Sequence, residues 1–352
     1  MAEYISFQPS DFFSTKLYTG TGSSNAITGV GFQPDFTWIK NRDAADFHVL
    51  TDAVRGATKY WRSDNSAVEA TDAESLKSFD SDGFTVGTQA EVNTNTEKYV
   101  SWNWKAGTTS GLSGGTITPT GYSLNTTAGQ SIIAYTGAGA AGTVPHGLGK
   151  TPAMIIVKCL GDGYSGMVYN AGINNGVTPA DYYIKIDGTG DQEDAYGAGA
   201  WNDTLPTSTV FSVGGNNHTS GSFDYIAYCF ADIKGYSKFG AYTGTGDASI
   251  SPFIYTGFRP AYTMIKQSSG SGTYGWYILD SKRAGYNPDN EDLLANTTGV
   301  EDDTNNFWDL TSTGFKIKTA GGNINTSGSV YVYAAFAEFP LVSSNDVPTV
   351  AR

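Results

Sequence analysis

Positive charge, cysteine and long apolar runs are all scarce in this chain. Lys and Arg number 21 against 34 Asp and Glu, a formal charge of −13 over 352 residues. Without a basic cluster the chain offers little to phosphate backbones or anionic membranes, so no nucleic-acid partner and no membrane insertion are expected. Two cysteines, Cys159 and Cys229, make neither a disulfide framework nor a zinc cluster. No run of about 18 apolar residues is present to span a bilayer. The start, "MAEYISFQPSDFFS", lacks the basic and apolar regions of a secretory signal, which predicts assembly in a cytoplasm. Stretches rich in Ala, Leu, Glu and Lys are few, which argues against long helices.

What is abundant is glycine (44 residues) and aromatic side chains (13%), set among Ser, Thr and Asn. That mixture favours short strands joined by turns. "YTGTG" occurs at Tyr18 and again at Tyr242, with "YTGAG" at Tyr135. Each copy is followed by a Pro with a Lys six residues on: "PDFTWIK", "PAMIIVK" and "PAYTMIK". Then come "SDGFTVG", "STVFSVG" and "STGFKIK", and finally the aromatic runs "YVSWNW", "YIAYCF" and "YVYAAF". Four landmarks in one order, three times, identify an internal repeat whose units are domain-sized rather than solenoid turns.

Side chains two apart on a strand share a face. The closing runs therefore put Val100, Trp102 and Trp104 together, as they do Ile226, Tyr228 and Phe230, and Val332, Ala334 and Phe336. This is the predicted core face. The expected fold class is all-β: three tandem antiparallel β-sandwich domains. The expected boundaries are repeat 1 at 1–107, a Gly/Ser/Thr-rich linker at 108–130, repeat 2 at 131–234, and repeat 3 with a C-terminal tail at 235–352. The linker is expected to let the first domain move against the second. The glycines of "YTGTG" are expected to serve turn geometry, with the leading tyrosine joining the core.

Several motifs invite a catalytic reading and fail on context. "GAGAAG" at Gly137 matches a dinucleotide fingerprint, but "TVPHGLGKTP" follows it and cannot open the required helix. "GLSGG" at Gly111 matches a nucleophile elbow but lies in the linker. His48, His146 and His218 do not recur between repeats and read as solvated loop residues. The acidic clusters at Asp187–Asp194 and Glu301–Asp303 do not follow a calcium-loop pattern. No catalytic residue, metal or cofactor is expected.

Two sets of residues remain. Repeats 1 and 3 carry a D-x-x-R pair, Asp52/Arg55 and Asp280/Arg283, predicted to be structural ion pairs pinning a turn. Repeat 2 has "VYNAGIN" instead. Trp61, Trp201, Trp276 and Tyr286 fall in the variable middle regions beside Asn and Asp. Flat apolar rings next to polar side chains are what a glycan site uses, so these four are the glycan-binding candidates.

The runs "YTGTGSSNAITGVGFQPDFTWIKNRD", "LTDAVRGATKYW" and "YIAYCFADIKGYSKFGAYTG" resemble a repeat family of uncharacterised tailed-bacteriophage virion and tail-fibre proteins, especially of marine phages. The resemblance covers nearly the whole chain and implies concanavalin-like, lectin-type (jelly-roll) sandwich units. It carries no catalytic residues. It implies a structural virion protein, assembled in the host cytoplasm, that acts as a tail fibre or receptor-binding subunit. Its implied partners are other virion proteins, further copies of itself as a homotrimer, and a host surface glycan or protein. A capsid decoration or head-fibre protein is the alternative. A glycan-degrading enzyme is a third reading, and it needs convergent carboxylates in one cleft. Either terminus, "MAEYISFQPSDFF" or "LVSSNDVPTVAR", is a candidate virion anchor.

Overall fold

The computed structural model describes residues 7–338 apart from 195–198, 271 and 289. The candidate anchor at 341–352 and the first six residues of the other lie outside that range.

Each repeat builds an antiparallel main sheet in one spatial order: opening strand, closing strand, lysine-bearing strand, fourth strand. In the first repeat these are Phe13–Thr19, Lys98–Trp104, Phe36–Asn41 and Val49–Asp52. In the second they are Gln130–Thr136, Asp224–Phe230, Met154–Cys159 and Met167–Asn170, and in the third Ser237–Thr243, Val330–Phe336, Tyr262–Ser269 and Tyr277–Asp280. Val, Ile and aromatic residues dominate the inner strands, as pleated surfaces buried on both faces require. All six residues of Phe36–Asn41 and of Met154–Cys159 are buried.

The two faces of each main sheet have different fates. One face packs on the repeat's own small sheet. Tyr99, Ile39 and Val49 meet Ile27, Phe84 and Leu76 in the first repeat. Tyr225 and Val157 meet Phe211 and Val213 in the second, and Tyr331 and Ile265 meet Ile254 and Phe315 in the third. These are antiparallel sandwiches. The opposite faces, carrying Trp102 and Trp104, Tyr228 and Phe230, and Ala334 and Phe336, all enter one common core. Trp104 is its hub, with ring centroids 5.1 Å from Phe13, 5.1 Å from Phe36 and 5.6 Å from Phe336. Aromatic pairs of this kind add about 0.5–1.5 kcal/mol each beyond their area burial. The three main sheets thus surround a shared axis, and each repeat touches both others.

This packing corrects the expectation of a flexible linker at 108–130. Pro119–Asn125 is an edge strand of the second main sheet, paired with Gln130–Thr136. It is also tied to the first repeat, because Ser123 Oγ donates to buried Asp35 Oδ1 at 2.8 Å. Gly, Ser and Thr suit an edge strand as well as a linker, and composition alone does not separate the two. The boundaries drawn at 107, 130 and 234 divide repeats in sequence but not in packing.

The thrice-written "YTG" has a definite job. Tyr18 stands opposite Tyr99, Tyr135 opposite Tyr225, and Tyr242 opposite Tyr331. Each pair stacks with centroids 5.1–5.2 Å apart. The first tyrosine of each pair donates to a backbone carbonyl: Val92, Thr219 and Ile324 respectively. The glycine two residues on is needed for close approach. A Cβ at Gly20, Gly137 or Gly244 would stand 2.0–2.3 Å from a carbonyl oxygen. The second glycine of each motif, Gly22, Gly139 or Gly246, has φ of +65° to +70°, the left-handed region glycine favours.

Chain direction gives the axis two unlike ends. At one end lie Phe7, Tyr236 and Phe336, in mutual ring contact or bridged by one ring, and Ala337 N donates to Tyr236 O. The crossing from the second repeat to the third, at residues 231–236, lies there, and the segment leaving the first repeat at Lys105 starts there before running to the other end at Pro119. At the other end lie the three "YTG" turns and the loops they touch.

Candidate functional site

The D-x-x-R residues sit at the ends of fourth strands, where the chain turns. Asp52 Oδ1 accepts from Val54 N and Arg55 N at 3.1 and 2.9 Å, and Asp280 Oδ1 accepts from Lys282 N and Arg283 N at 3.0 and 3.1 Å. This is the Asx-turn chemistry that makes Asp and Asn turn residues. Each Oδ2 then takes its arginine, at 2.5 Å for Arg55 Nε and 2.6 Å for Arg283 Nε. Both arginines are buried. Burial works against their charge, but the adjacent carboxylates hold both guanidiniums above their usual range.

Each Oδ2 also reaches into the next repeat. Asp52 accepts from Tyr228 Oη at 2.7 Å, and Asp280 accepts from Trp102 Nε1 at 3.0 Å. Tyr228 and Trp102 occupy corresponding places on their closing strands. The third such place is Ala334, which has no donor. Facing Ala334's strand is Asn170, the second repeat's counterpart of the aspartates. Asn170 Oδ1 still caps its turn, accepting from Gly172 N at 2.8 Å, while Nδ2 donates to Tyr333 O at 3.2 Å. The charge pair is missing where the neighbour offers nothing for a carboxylate to accept.

The repeated lysine completes these seams in the opposite sense around the axis. Lys40 Nζ donates to Thr298 O of the third repeat at 3.1 Å, Lys158 Nζ to Ser66 O of the first at 2.9 Å, and Lys266 Nζ to Thr189 O of the second at 3.1 Å. All three are buried, and burial pulls each down to about 8. Their recurrence was visible in the sequence. Their role was not, because their partners are loop carbonyls that leave no residue signature.

The glycan candidates are divided. Trp61, Trp201 and Trp276 are 1–2% exposed, so they present no ring to solvent. Trp61 Nε1 donates to Tyr228 Oη at 3.0 Å, and Trp276 Nε1 donates across a seam to Lys185 O at 2.9 Å. Trp201 packs inside the second sandwich, 5.9 Å from the Tyr169 ring. Tyr286 alone is open, at 77%.

Two histidines differ from the solvated loop positions expected of them, while His218 lies half-buried in a turn. His48 is buried between the first and third repeats, accepting from Trp38 Nε1 at 2.8 Å through Nδ1 and meeting Leu294 O through Nε2 at 3.0 Å. His146 is buried with both ring nitrogens on backbone groups. Cys159 and Cys229 are buried free thiols. The acidic cluster at 187–194 is partly a seam, since Asp191 accepts from Gln267 Nε2 and Gly270 N. Among the described residues, no group of three or more His, Cys, Asp or Glu is placed to hold a metal.

Shallow clefts open on the surface of the described residues. One, of about 230 Å³, lies between the first two repeats and is lined by Arg55, Lys59, Glu69 and Asp224 among others. Its carboxylates are already engaged: Glu69 by Arg55 and Lys59, Asp224 by Thr136 Oγ1. The other, of about 250 Å³, is lined largely by Gly, Ser and Thr, with Ser113 of "GLSGG" among them. Exposed large apolar side chains concentrate instead in the third repeat, at Ile250, Phe253, Tyr255, Tyr286 and Val300. Periodicity alone did not single out Phe253 and Tyr255, because their strand, Phe253–Tyr255, is only three residues long.

A family model described as a domain of unknown function, DUF7483, matches residues 8–340, and the chain belongs to that family. No curated protein and no solved structure matches it.

Proposed function

We propose that this DUF7483 protein is a structural, non-catalytic bacteriophage virion component, a tail fibre or receptor-binding subunit that contacts a host surface glycan or protein. The virion assignment rests on the sequence resemblance. The observation that carries the attachment role is the unlike ends of the axis. The crossing from the second repeat to the third lies at one end, and the three "YTG" turns lie at the other. The ion pairs, buried lysines and most tryptophans are engaged in seams between repeats, which suits a rigid body that carries load. One copy already has three similar lobes, so a threefold position in a particle would be filled without self-association.

The same three-lobed body also favours a second reading, a decoration protein seated at a threefold position on the capsid. Gold-labelled antibody on purified phage particles separates the two. Label at tail ends supports the fibre, and label over the head supports decoration. Particles that contain the protein at neither place, or lack it by mass spectrometry, overturn both.

A further inference from the structure

The small sheet of the third repeat has an outer face unlike its two counterparts. Register aligns the three edge strands, because Ile27, Val144 and Ile254 all face inward and stand opposite Phe84, Phe211 and Phe315. The neighbours of those residues on the other face are Ala26 and Thr28, both exposed, in the first repeat, and Thr143 and Pro145, partly covered by Gly115 and Thr116, in the second. In the third they are Phe253 and Tyr255, 49% and 67% exposed.

Across the sheet the outward positions form a grid. Phe253 stands opposite Lys316, which stands opposite Asp309, and Tyr255 stands opposite Gly314, which stands opposite Thr311. Gly314 leaves room for the Phe253 ring: a Cβ there would lie 3.2 Å from Phe253 Cζ. The Tyr255 ring leans toward Gly257 in the same way, 3.6–3.8 Å from where a Cβ would stand. Both rings are thus laid along the protein surface with glycine beneath or beside them. On the far margin Asn287 pairs with both backbone groups of Leu310, at 2.7 and 3.0 Å, and its neighbour Tyr286 is exposed.

We propose that this face binds a polysaccharide, with Phe253 and Tyr255 stacking on the C–H faces of sugar rings; Lys316, Asp309 and Thr311, held in place by Ser251 O, Lys318 and Gly314 O respectively, meet hydroxyl groups through their remaining hydrogen-bonding capacity. The proposal rests on the receptor-binding reading and gives it a site. Size selects the ligand class. Two aromatic rings half to two-thirds open offer on the order of 200–300 Å², far below the roughly 800 Å² per partner of a stable protein interface. A sugar needs only a ring face and a few polar neighbours. The rings line the edge strand and the polar side chains Lys316, Asp309 and Thr311 stand beside them across the sheet, which matches a ligand with C–H faces edged by hydroxyls.

The test is affinity electrophoresis of the full chain against a panel of soluble bacterial capsular and O-antigen polysaccharides. The expected result is retardation by at least one member, weakened at least tenfold in both Phe253→Ser and Tyr255→Ser and retained in Tyr255→Trp. Thr28→Ser, at the matching place in the first repeat, should bind as the native protein does. The thermal transition checks that each variant folds; both serine sites face outward, so it should not move. Binding that survives both serine substitutions overturns the site but leaves the receptor-binding reading standing. No retardation by any polysaccharide overturns the site, and particle labelling then decides the virion reading on its own.

Discussion

The phenol of Tyr228 in the second repeat donates to Asp52 Oδ2 in the first at 2.7 Å and accepts from Trp61 Nε1 at 3.0 Å. One hydroxyl thereby satisfies a buried carboxylate and a buried indole across a seam. Tyr228→Phe removes both bonds while keeping the ring. An orphaned buried donor or acceptor costs about 1–3 kcal/mol, and a lowered urea midpoint in that range is expected. Arg55→Ala leaves Asp52 as a buried charge without its cation and should cost about 3–5 kcal/mol. Because the core is shared, the loss should appear as one earlier transition of the whole chain. An early transition confined to the first repeat would contradict the common core.

Asn170 tests the seam logic from the other side. Asn170→Asp keeps the turn cap but places a carboxylate against Tyr333 O with no arginine three residues on. The expected outcome is a loss of stability at pH 7 that partly recovers as pH falls and the new carboxyl protonates. Stability equal to the native protein at pH 7 would show that the missing charge pair has no structural cause.

Gly137→Ala drives a Cβ to within 2.0 Å of Gly221 O, with the Tyr225 ring close behind. Overpacking of this kind costs about 1–3 kcal/mol. Gly321→Ala, where nothing lies within 4 Å, is the matched control and should leave the denaturation midpoint unmoved.

The buried lysines give a pH dependence with a fixed sign. Burial holds Lys40, Lys158 and Lys266 at about 8, below the ordinary 10.5. Between those values the folded chain binds fewer protons than the unfolded chain. Stability therefore rises with pH from about 8 toward 10 and is lost again on return toward 8. Above 10 the trend reverses, because buried Tyr135, Tyr228 and Tyr242 stay protonated far above their usual range. Urea midpoints at pH 7.5 and 9.5 should show the rise, and Lys158→Met should shrink it.

Much of the fold was legible because it repeats. The aromatic closing runs announced their inner face by alternation, and that face is buried in every repeat. That the three inner faces share one core was not legible, since strand alternation reports that a face is buried and not what covers it. The D-x-x-R turns were readable from local spacing. Their partners Tyr228 and Trp102 lie more than 170 residues away and leave no pattern. The middle-region tryptophans looked like ligand platforms because they fall outside the repeat, yet irregular seams between lobes demand just such unrepeated, bulky fillers.

Three lobes written into one chain are released from the identity that a true trimer imposes. A substitution in a trimer appears on every lobe at once, whereas here Phe253 and Tyr255 could arise on one lobe while Thr28 and Pro145 stayed on the others. A site on that face would be present once per molecule despite the threefold outline. Grip on a surface would then scale with the number of molecules a particle displays, which evolution can adjust separately from the site itself.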